Sequence, residues 1–266
     1  MSKILITSGC SFSECMGTHV YTWPRHLARI LDNHGYVHKS YAMGSQGNGL
    51  ISRGAMHGAI EALKTNDPKD ILVGVMWSGA SRYDFRCTDP NDLMFVQEKI
   101  HNGWMRNPTQ FISGAPKNWV ILNQHWGDDQ DGLRNPEAKM YYKYFYDEIG
   151  SSIRSIEHIL RLQLFLELKG IPYFFTNYSD QNIVRDKLKD NVEIKYLYDQ
   201  INFDKYLPVS SEFRWCYENS KFTHLWPEDW RDHISLHPKT EMHKEFVDQV
   251  IVPWLQEKYA GMVFNG

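Results

Sequence analysis

Short apolar runs alternate with amphipathic stretches along the chain, and this alternation predicts strands and helices in turn. The two clearest strands are residues 3–7 and 70–77, continuous apolar runs that are typical of strands covered on both faces. Weaker runs predict three more strands, at 36–42, 171–176 and, least distinctly, 193–198. Helical spacing of apolar side chains predicts helices at 23–31, 51–63, 151–169 and about 239–257, with a short helix at 180–189.

This order of elements, with strand and helix in alternation, indicates a parallel α/β sandwich in a single domain spanning residues 1–266. Residues 82–139 interrupt the alternation, because they are rich in Asn, Asp, Pro, Gly and Trp and lack periodicity. Long irregular segments of this kind are usually lids or binding loops, so we expect an insertion beside the functional site. In open parallel sheets that site lies beyond the carboxyl ends of the strands.

Composition and charge exclude several classes of function. The net charge of the 266 residues is −3 and no basic cluster stands out, which argues against nucleic acid as the main partner. No stretch approaches the ~20 apolar residues of a membrane span, and no signal peptide is visible. We therefore expect a cytoplasmic protein that does not bind membranes, or a virion-associated one if a phage encodes it. The spacing of Cys10, Cys15, Cys87 and Cys216 fits neither a zinc site nor a redox pair.

Polar or glycine residues directly follow three predicted strands, and we expect them to meet at one edge of the sheet. Ser11 follows the first strand in the sequence Gly-Cys-Ser-Phe-Ser, Gly44 follows the second, and Ser78 follows the third. A serine after a glycine is also a common helix cap, so the first block alone leaves both interpretations open. Near the other end His237-Pro238 precedes the last helix. Proline stiffens this turn, which suits a histidine that must act as a general base.

Together these blocks resemble the SGNH, or GDSL-type, hydrolases. Residues 9–13 resemble the first block of that family and residues 42–48 the second, and His237-Pro238 with His243 resembles the last. This chain departs from the family pattern at three positions: Cys10 stands in place of Asp, Ser78 in place of Asn, and Ile234 in place of the Asp that precedes the histidine. The resemblance implies a three-layer αβα sandwich with a mainly parallel, flavodoxin-like sheet.

The resemblance also implies a catalytic set. Ser11 would attack an ester carbonyl, and His237 would accept its proton. Asp232, five residues before His237, is the first candidate to orient the histidine, and Asp229 is the second. Cys10 is a rival nucleophile, although a small buried residue is the commoner role for such a cysteine.

Oxyanion and substrate contacts follow from the same resemblance. The backbone N–H groups of Ser11 and Gly44, with the Ser78 hydroxyl, would stabilise the oxyanion, and Gly47 is the alternative to Gly44. We expect Arg82, Gly47 and Asn48 to contact the substrate. No metal and no cofactor is predicted, because the spacing of His224, His233 and His237 matches no standard ligand pattern.

The predicted function is therefore that of a serine esterase that removes a small acyl group, with O-acetyl as the first candidate, from a carbohydrate. Its expected partner is a small-molecule or carbohydrate ester. Two alternatives stay open: a catalytically weakened binding or structural module, for a glycan or in a phage-type assembly, and acyl transfer to a sugar hydroxyl. The sequence leaves the oligomeric state undetermined.

Overall fold

The computed structural model describes residues 2–14, 21–86, 119–122, 136–180, 190–223 and 237–264. Its central sheet consists of four parallel strands, β1 (Lys3–Ser8), β2 (Tyr36–Ser40), β3 (Ile71–Trp77) and β6 (Tyr173–Asn177). They lie in the order β2-β1-β3-β6. This order is that of a flavodoxin-like sheet, with the first strand inside the second and third.

Helices cover both faces of the sheet, and the fold is a three-layer α/β sandwich. The eight α-helices of the described residues are α1 (Trp23–Asp32), α2 (Asn48–Leu63), α3 (Pro136–Tyr144), α4 (Glu148–Lys169), α5 (Val192–Tyr198), α6 (Glu212–Asn219), α7 (Thr240–Phe246) and α8 (Val252–Val263). Two short 3-10 helices lie at Pro68–Asp70 and Phe203–Lys205. A π-helical turn, Val247–Ile251, joins α7 to α8. The last helix, predicted to end at about residue 257, therefore extends to Val263.

Alternating side chains of the strands supply two separate cores. Leu5 of β1 packs with α1, α7 and α8 on one face, among Trp23, Phe246 and Trp254. Its neighbour Ile6 points to the other face, where α2 and α4 pack. All seven residues of β3 are buried, as its continuous apolar run predicts.

Helix α4 shows which part of an amphipathic pattern the core uses. Its ends agree with the sequence: Asp147 caps the first turn through Gly150 N–H, and Gly170 ends the helix with a φ of 66°. The buried stripe, however, is Ile156, Ile159, Leu162 and Leu166. Leu164 and Leu168, which also lie at helical spacing in this segment, are 61% and 81% exposed.

Several predicted elements differ in the structure. Residues 193–198 are helical, not a strand, because the Asn191 side chain accepts a hydrogen bond from Glu193 N–H and starts helix α5. Helix α6 has no counterpart among the predicted elements, although Ser211 caps it in the same way. The predicted helix at 180–189 lies almost wholly outside the described residues.

The segment 82–139 is more regular than its composition indicates. Strands β4 (Tyr83–Arg86) and β5 (Trp119–Leu122) pair antiparallel, with Asp84 opposite Ile121. Helix α3 then starts at Pro136, inside the predicted insertion. Within the described ranges, no helix has the length and apolar character needed to cross a membrane.

Candidate active site

A helical turn directly after β1 carries the candidate nucleophile. The N–H groups of Ser13 and Glu14 both donate to the Cys10 carbonyl, at 2.9 and 3.0 Å, so residues 10–14 form one helical turn. The position before this turn requires glycine, because a Cβ on residue 9 would lie 2.2 Å from Ser13 Oγ and collide with it. Ser11 is therefore presented at the carboxyl edge of the sheet, partly exposed.

The second block is tied to the first through the Gly9 carbonyl. Met43 N–H donates to that carbonyl at 3.1 Å, and the Gln46 side-chain amide donates to it at 3.2 Å. Between them Ser45 has a φ of 63°, a left-handed conformation that is uncommon for a residue other than glycine. This turn holds Gly44 beside the nucleophile turn, and Gly44 N–H donates a hydrogen bond to the Glu14 carboxylate.

The loop before α7 brings the candidate base from the far end of the chain. Pro238 is buried. Two residues later, the hydroxyl and the carbonyl of Thr240 each contact a residue at or just before α1. Tyr21 N–H donates to the Thr240 hydroxyl at 3.1 Å, and His26 Nε2 lies 3.1 Å from the Thr240 carbonyl. These contacts anchor the start of α7, three residues after His237, to α1 and the segment just before it.

Ser11 and His237 meet in the structure. Ser11 Oγ lies 2.6 Å from His237 Nε2, a hydrogen-bond distance between residues 226 positions apart. The Phe12 ring packs on the imidazole, with 4.8 Å between centroids. Burial, with the nearby charges of His243 and Arg82, lowers the pKa of His237 to about 4. The imidazole is therefore neutral at pH 7 and can accept a proton.

His243, the second histidine of the last block, has a separate partner. Its Nδ1 lies 2.6 Å from Glu212 Oε1, and both side chains are fully buried. Burial raises the pKa of Glu212, while the hydrogen bond with His243 lowers it. This pair joins α6 to α7 and so supports the loop that carries His237.

Ser78 is placed at the end of β3 by Asn48. Ser78 N–H donates to Asn48 Oδ1 at 2.8 Å, and Asn48 Nδ2 donates back to the Ser78 carbonyl at 3.1 Å. Asn48 Nδ2 also lies 3.2 Å from Ser155 Oγ, and the residue is buried. Both groups of the Asn48 amide therefore bond within the protein. Ser78 is fully buried, and its hydroxyl finds no partner among the described residues.

Arg82 lies close to the nucleophile turn. Its guanidinium lies over the Tyr178 ring at 5.2 Å, and Tyr178 packs edge-on against Phe12. Burial opposes the charged form of Arg82, but the interaction and hydrogen bond with Cys10, together with Tyr178 and Asp84, outweigh it and raise the pKa of Arg82, so the group keeps its charge. Its Nη1 is buried and has no hydrogen-bond partner within the described part of the chain.

The other residues predicted for the site differ in where the structure places them. Gly47 N–H donates to Asp84 Oδ1 at 3.0 Å, and a Cβ at Gly47 would lie 2.7 Å from the same carboxylate. Cys10 is buried with no exposed area, whereas Ser11 faces the histidine. Asp232 and Asp229 lie outside the described residues. Within the described ranges, no cluster of His, Cys, Asp and Glu is arranged to hold a metal ion.

Sequence reasoning missed Glu14 and Asp84. Glu14 follows Ser11 by three positions, which is one turn of helix, so the helical turn itself is the signal that could have found it. Asp84 gave no such signal, because its partners Gly47 N–H and Leu50 N–H lie in a remote segment.

Comparison with known proteins gives one structural likeness and no sequence relative. Neither the protein-family profiles nor the curated protein sequences contain a match. A crystal structure of protein YxiM from Bacillus subtilis matches with a TM-score of 0.50 and 13% identity over 98% of this chain. The chain spans 58% of that structure's length. At this identity the likeness supports the fold alone.

Proposed function

We propose that the chain is a serine esterase of the SGNH type that hydrolyses a small acyl ester. The observation that carries this proposal is the 2.6 Å contact between Ser11 Oγ and a neutral His237 Nε2 at the carboxyl edge of a parallel sheet. The resemblance in the three sequence blocks supports it. An O-acetylated carbohydrate is the preferred substrate class, because family tendency and an aromatic content of 14% both favour a sugar.

In this proposal Ser11 attacks the ester carbonyl while its proton passes to His237 Nε2. The negative charge on the former carbonyl oxygen is stabilised by the N–H groups of Ser11 and Gly44. The imidazolium then returns the proton to the leaving alcohol, which departs and leaves an acyl-serine. Water, deprotonated by His237, releases the acid and restores the Ser11 hydroxyl. Ser78 is a third donor only where its buried hydroxyl reaches the substrate.

Labelling by a fluorophosphonate probe tests the proposal directly. We expect a single adduct by intact mass near pH 8, assigned to Ser11 by peptide mapping, and none in Ser11→Ala or His237→Ala. Ser13→Ala is the matched control in the same block, because Ser13 Oγ instead accepts from Trp23 Nε1 at 2.9 Å. Circular dichroism establishes that each variant is folded. A folded wild type without an adduct contradicts the proposal.

A second candidate function is a binding or structural module with the same fold. The hydrogen bond from Gly44 N–H to the Glu14 carboxylate favours it, since an N–H engaged in this way is not free to bind an oxyanion. The absence of labelling, together with binding of a glycan in an array screen, would support this candidate over the esterase.

A further inference from the structure

A small polar cavity lies beside the candidate active site, between α2, β4 and α4. We call it the Arg82 cavity, and its polar lining residues are Arg82, Asp84, Ser151, Arg154, Ser155 and His158. Its volume is about 30 Å³. A buried water needs roughly 10–15 Å³, so the cavity has room for two oxygen atoms, as in a carboxylate.

The charges around the cavity favour an anion. Arg82 and Arg154 contribute two positive charges against the single carboxylate of Asp84. Both oxygens of that carboxylate already accept hydrogen bonds, from Gly47 N–H and Leu50 N–H. Burial is the main cause that lowers the pKa of His158 to about 4, so this imidazole adds no charge at pH 7. A cation would face two guanidinium groups, and an apolar group would desolvate them without offering an acceptor.

Arg82 connects this cavity to the nucleophile. Its guanidinium lies on Tyr178, whose ring packs on Phe12, the residue after Ser11. Its Nη1 is buried and unpartnered among the described residues. The Arg82 side chain also lines the cavity, and a carboxylate bound there would accept a charge-assisted hydrogen bond from a guanidinium.

We propose that the Arg82 cavity binds a carboxylate of the substrate while the ester carbonyl lies at Ser11. The substrate class is then an acyl ester of an alcohol that carries a carboxylate, such as an acidic sugar. The position of the ester rests on the proposed esterase function, whereas the carboxylate site depends only on the cavity and its arginines.

A pair of esters that differ only in charge tests the inference. These are 4-acetoxybenzoate and 4-acetoxybenzamide, which share the acetyl group and the ring. Each kcat/KM is divided by the rate constant of spontaneous hydrolysis. We expect the wild type to favour the acid at least tenfold. Arg82→Gln and Arg154→Gln should each reduce that preference at least fivefold, and Arg82→Lys should retain part of it.

The matched control is Arg29→Gln, which removes an exposed arginine on α1 whose guanidinium lies over Tyr21. It should leave the preference for the acid unchanged. Arg154→Gln keeps the test informative should Arg82→Gln fail to fold. A wild type that hydrolyses both esters equally well overturns the inference and leaves the esterase function standing.

A binding measurement separates the two proposals. 4-Hydroxybenzoate should raise the thermal midpoint of the wild type by about 2 °C or more at saturation, and 4-hydroxybenzamide should not. Arg82→Gln should lose this response. Acid-selective stabilisation without turnover of either ester would mean that the carboxylate site is right and the esterase function wrong. The absence of acid-selective stabilisation counts against the carboxylate site.

Discussion

Three backbone groups organise the candidate site: the Gly9 carbonyl, the Cys10 carbonyl and the Gly44 N–H. The Gly9 carbonyl accepts from Met43 N–H and from the Gln46 amide, and so aligns the second block with the nucleophile turn. The Cys10 carbonyl holds that turn closed. The Gly44 N–H is the proposed oxyanion donor, but it already donates a hydrogen bond to the Glu14 carboxylate. An oxyanion would therefore compete with that carboxylate for the same N–H.

Glu14→Gln should therefore raise the rate at which a fluorophosphonate phosphonylates Ser11. A hydrogen bond to a charged acceptor contributes about 1.5–3 kcal/mol and a neutral one about 0.5–1.5, so the amide should release Gly44 more easily. We expect an increase of about fivefold, measured as the second-order labelling rate constant. Glu241→Gln, an acidic residue in the first turn of α7, is the control and should label at the wild-type rate. Slower labelling of Glu14→Gln would show that Glu14 supports the site instead of obstructing it.

The low pKa of His237 sets the pH dependence of the same reaction. Ser11 labelling requires the neutral imidazole, and burial lowers the pKa of His237 to about 4. The rate constant should be constant from pH 8 to about pH 6 and fall only as the pH approaches 4. A midpoint near the ordinary value of about 6.5 would mean that His237 is more solvated than the structure indicates.

At the scale of elements, β4 determines where α2 begins. Asp84 on β4 accepts from Gly47 N–H and Leu50 N–H, at 3.0 and 2.9 Å, and so satisfies N–H groups that a helix start leaves free. Burial raises the pKa of Asp84 to about 6, which limits the net stabilisation. The helix therefore begins three residues before the first position that its apolar spacing indicates.

Asp84→Ala should destabilise the fold by about 2 kcal/mol, since each buried N–H left without an acceptor costs about 1–3 kcal/mol and burial of the charge offsets part of that loss. Urea unfolding followed by circular dichroism measures this free energy of unfolding. Asp248→Ala is the control, because Asp248 is exposed and its ion pair is with Lys244, one turn away on the same helix. That change should cost less than about 0.5 kcal/mol. Equal effects of the two substitutions would contradict the proposed role of Asp84.

For the whole molecule, buried neutral histidines govern the response to acid. Burial is the main cause that lowers the pKa of His38, His158 and His237 to about 4 in each case. Between pH 6.5 and 4 the unfolded chain binds protons on these residues and the folded chain does not, so stability falls as the pH falls. Asp84 acts in the opposite direction between pH 6 and 3.8, because its folded-state pKa is raised.

The free energy of unfolding should therefore decrease from pH 7 to pH 4.5 by on the order of 5 kcal/mol at most, at about 1.4 kcal/mol per pH unit and net proton. Urea midpoints at pH 7, 6, 5 and 4.5 measure it. His158→Gln removes one of the three histidines and, because Asp84 offsets another proton below pH 6, should reduce the slope between pH 6 and 4.5 by about half. A slope that is unchanged in His158→Gln would mean that His158 is accessible to protons in the folded state.

The sequence by itself determined the four strands of the central sheet, because continuous apolar runs such as residues 70–77 are stable only between two covered faces. It determined the ends of α4 as well, through the local chemistry of Asp147 and Gly170. Residues 193–198 show the limit of that reasoning, since one capping bond from Asn191 outweighs the weak strand pattern.

Only the tertiary structure decided which long-range groups meet. Ser11 and His237 could be named from their blocks, but their 2.6 Å contact depends on Thr240 being held by Tyr21 and His26. No pattern in the sequence predicts the Glu14–Gly44 hydrogen bond or the Arg82 cavity. Their partners come from segments that are adjacent only when the sheet has formed, and hydrogen bonds and charge pairs of that kind leave no periodicity in the chain.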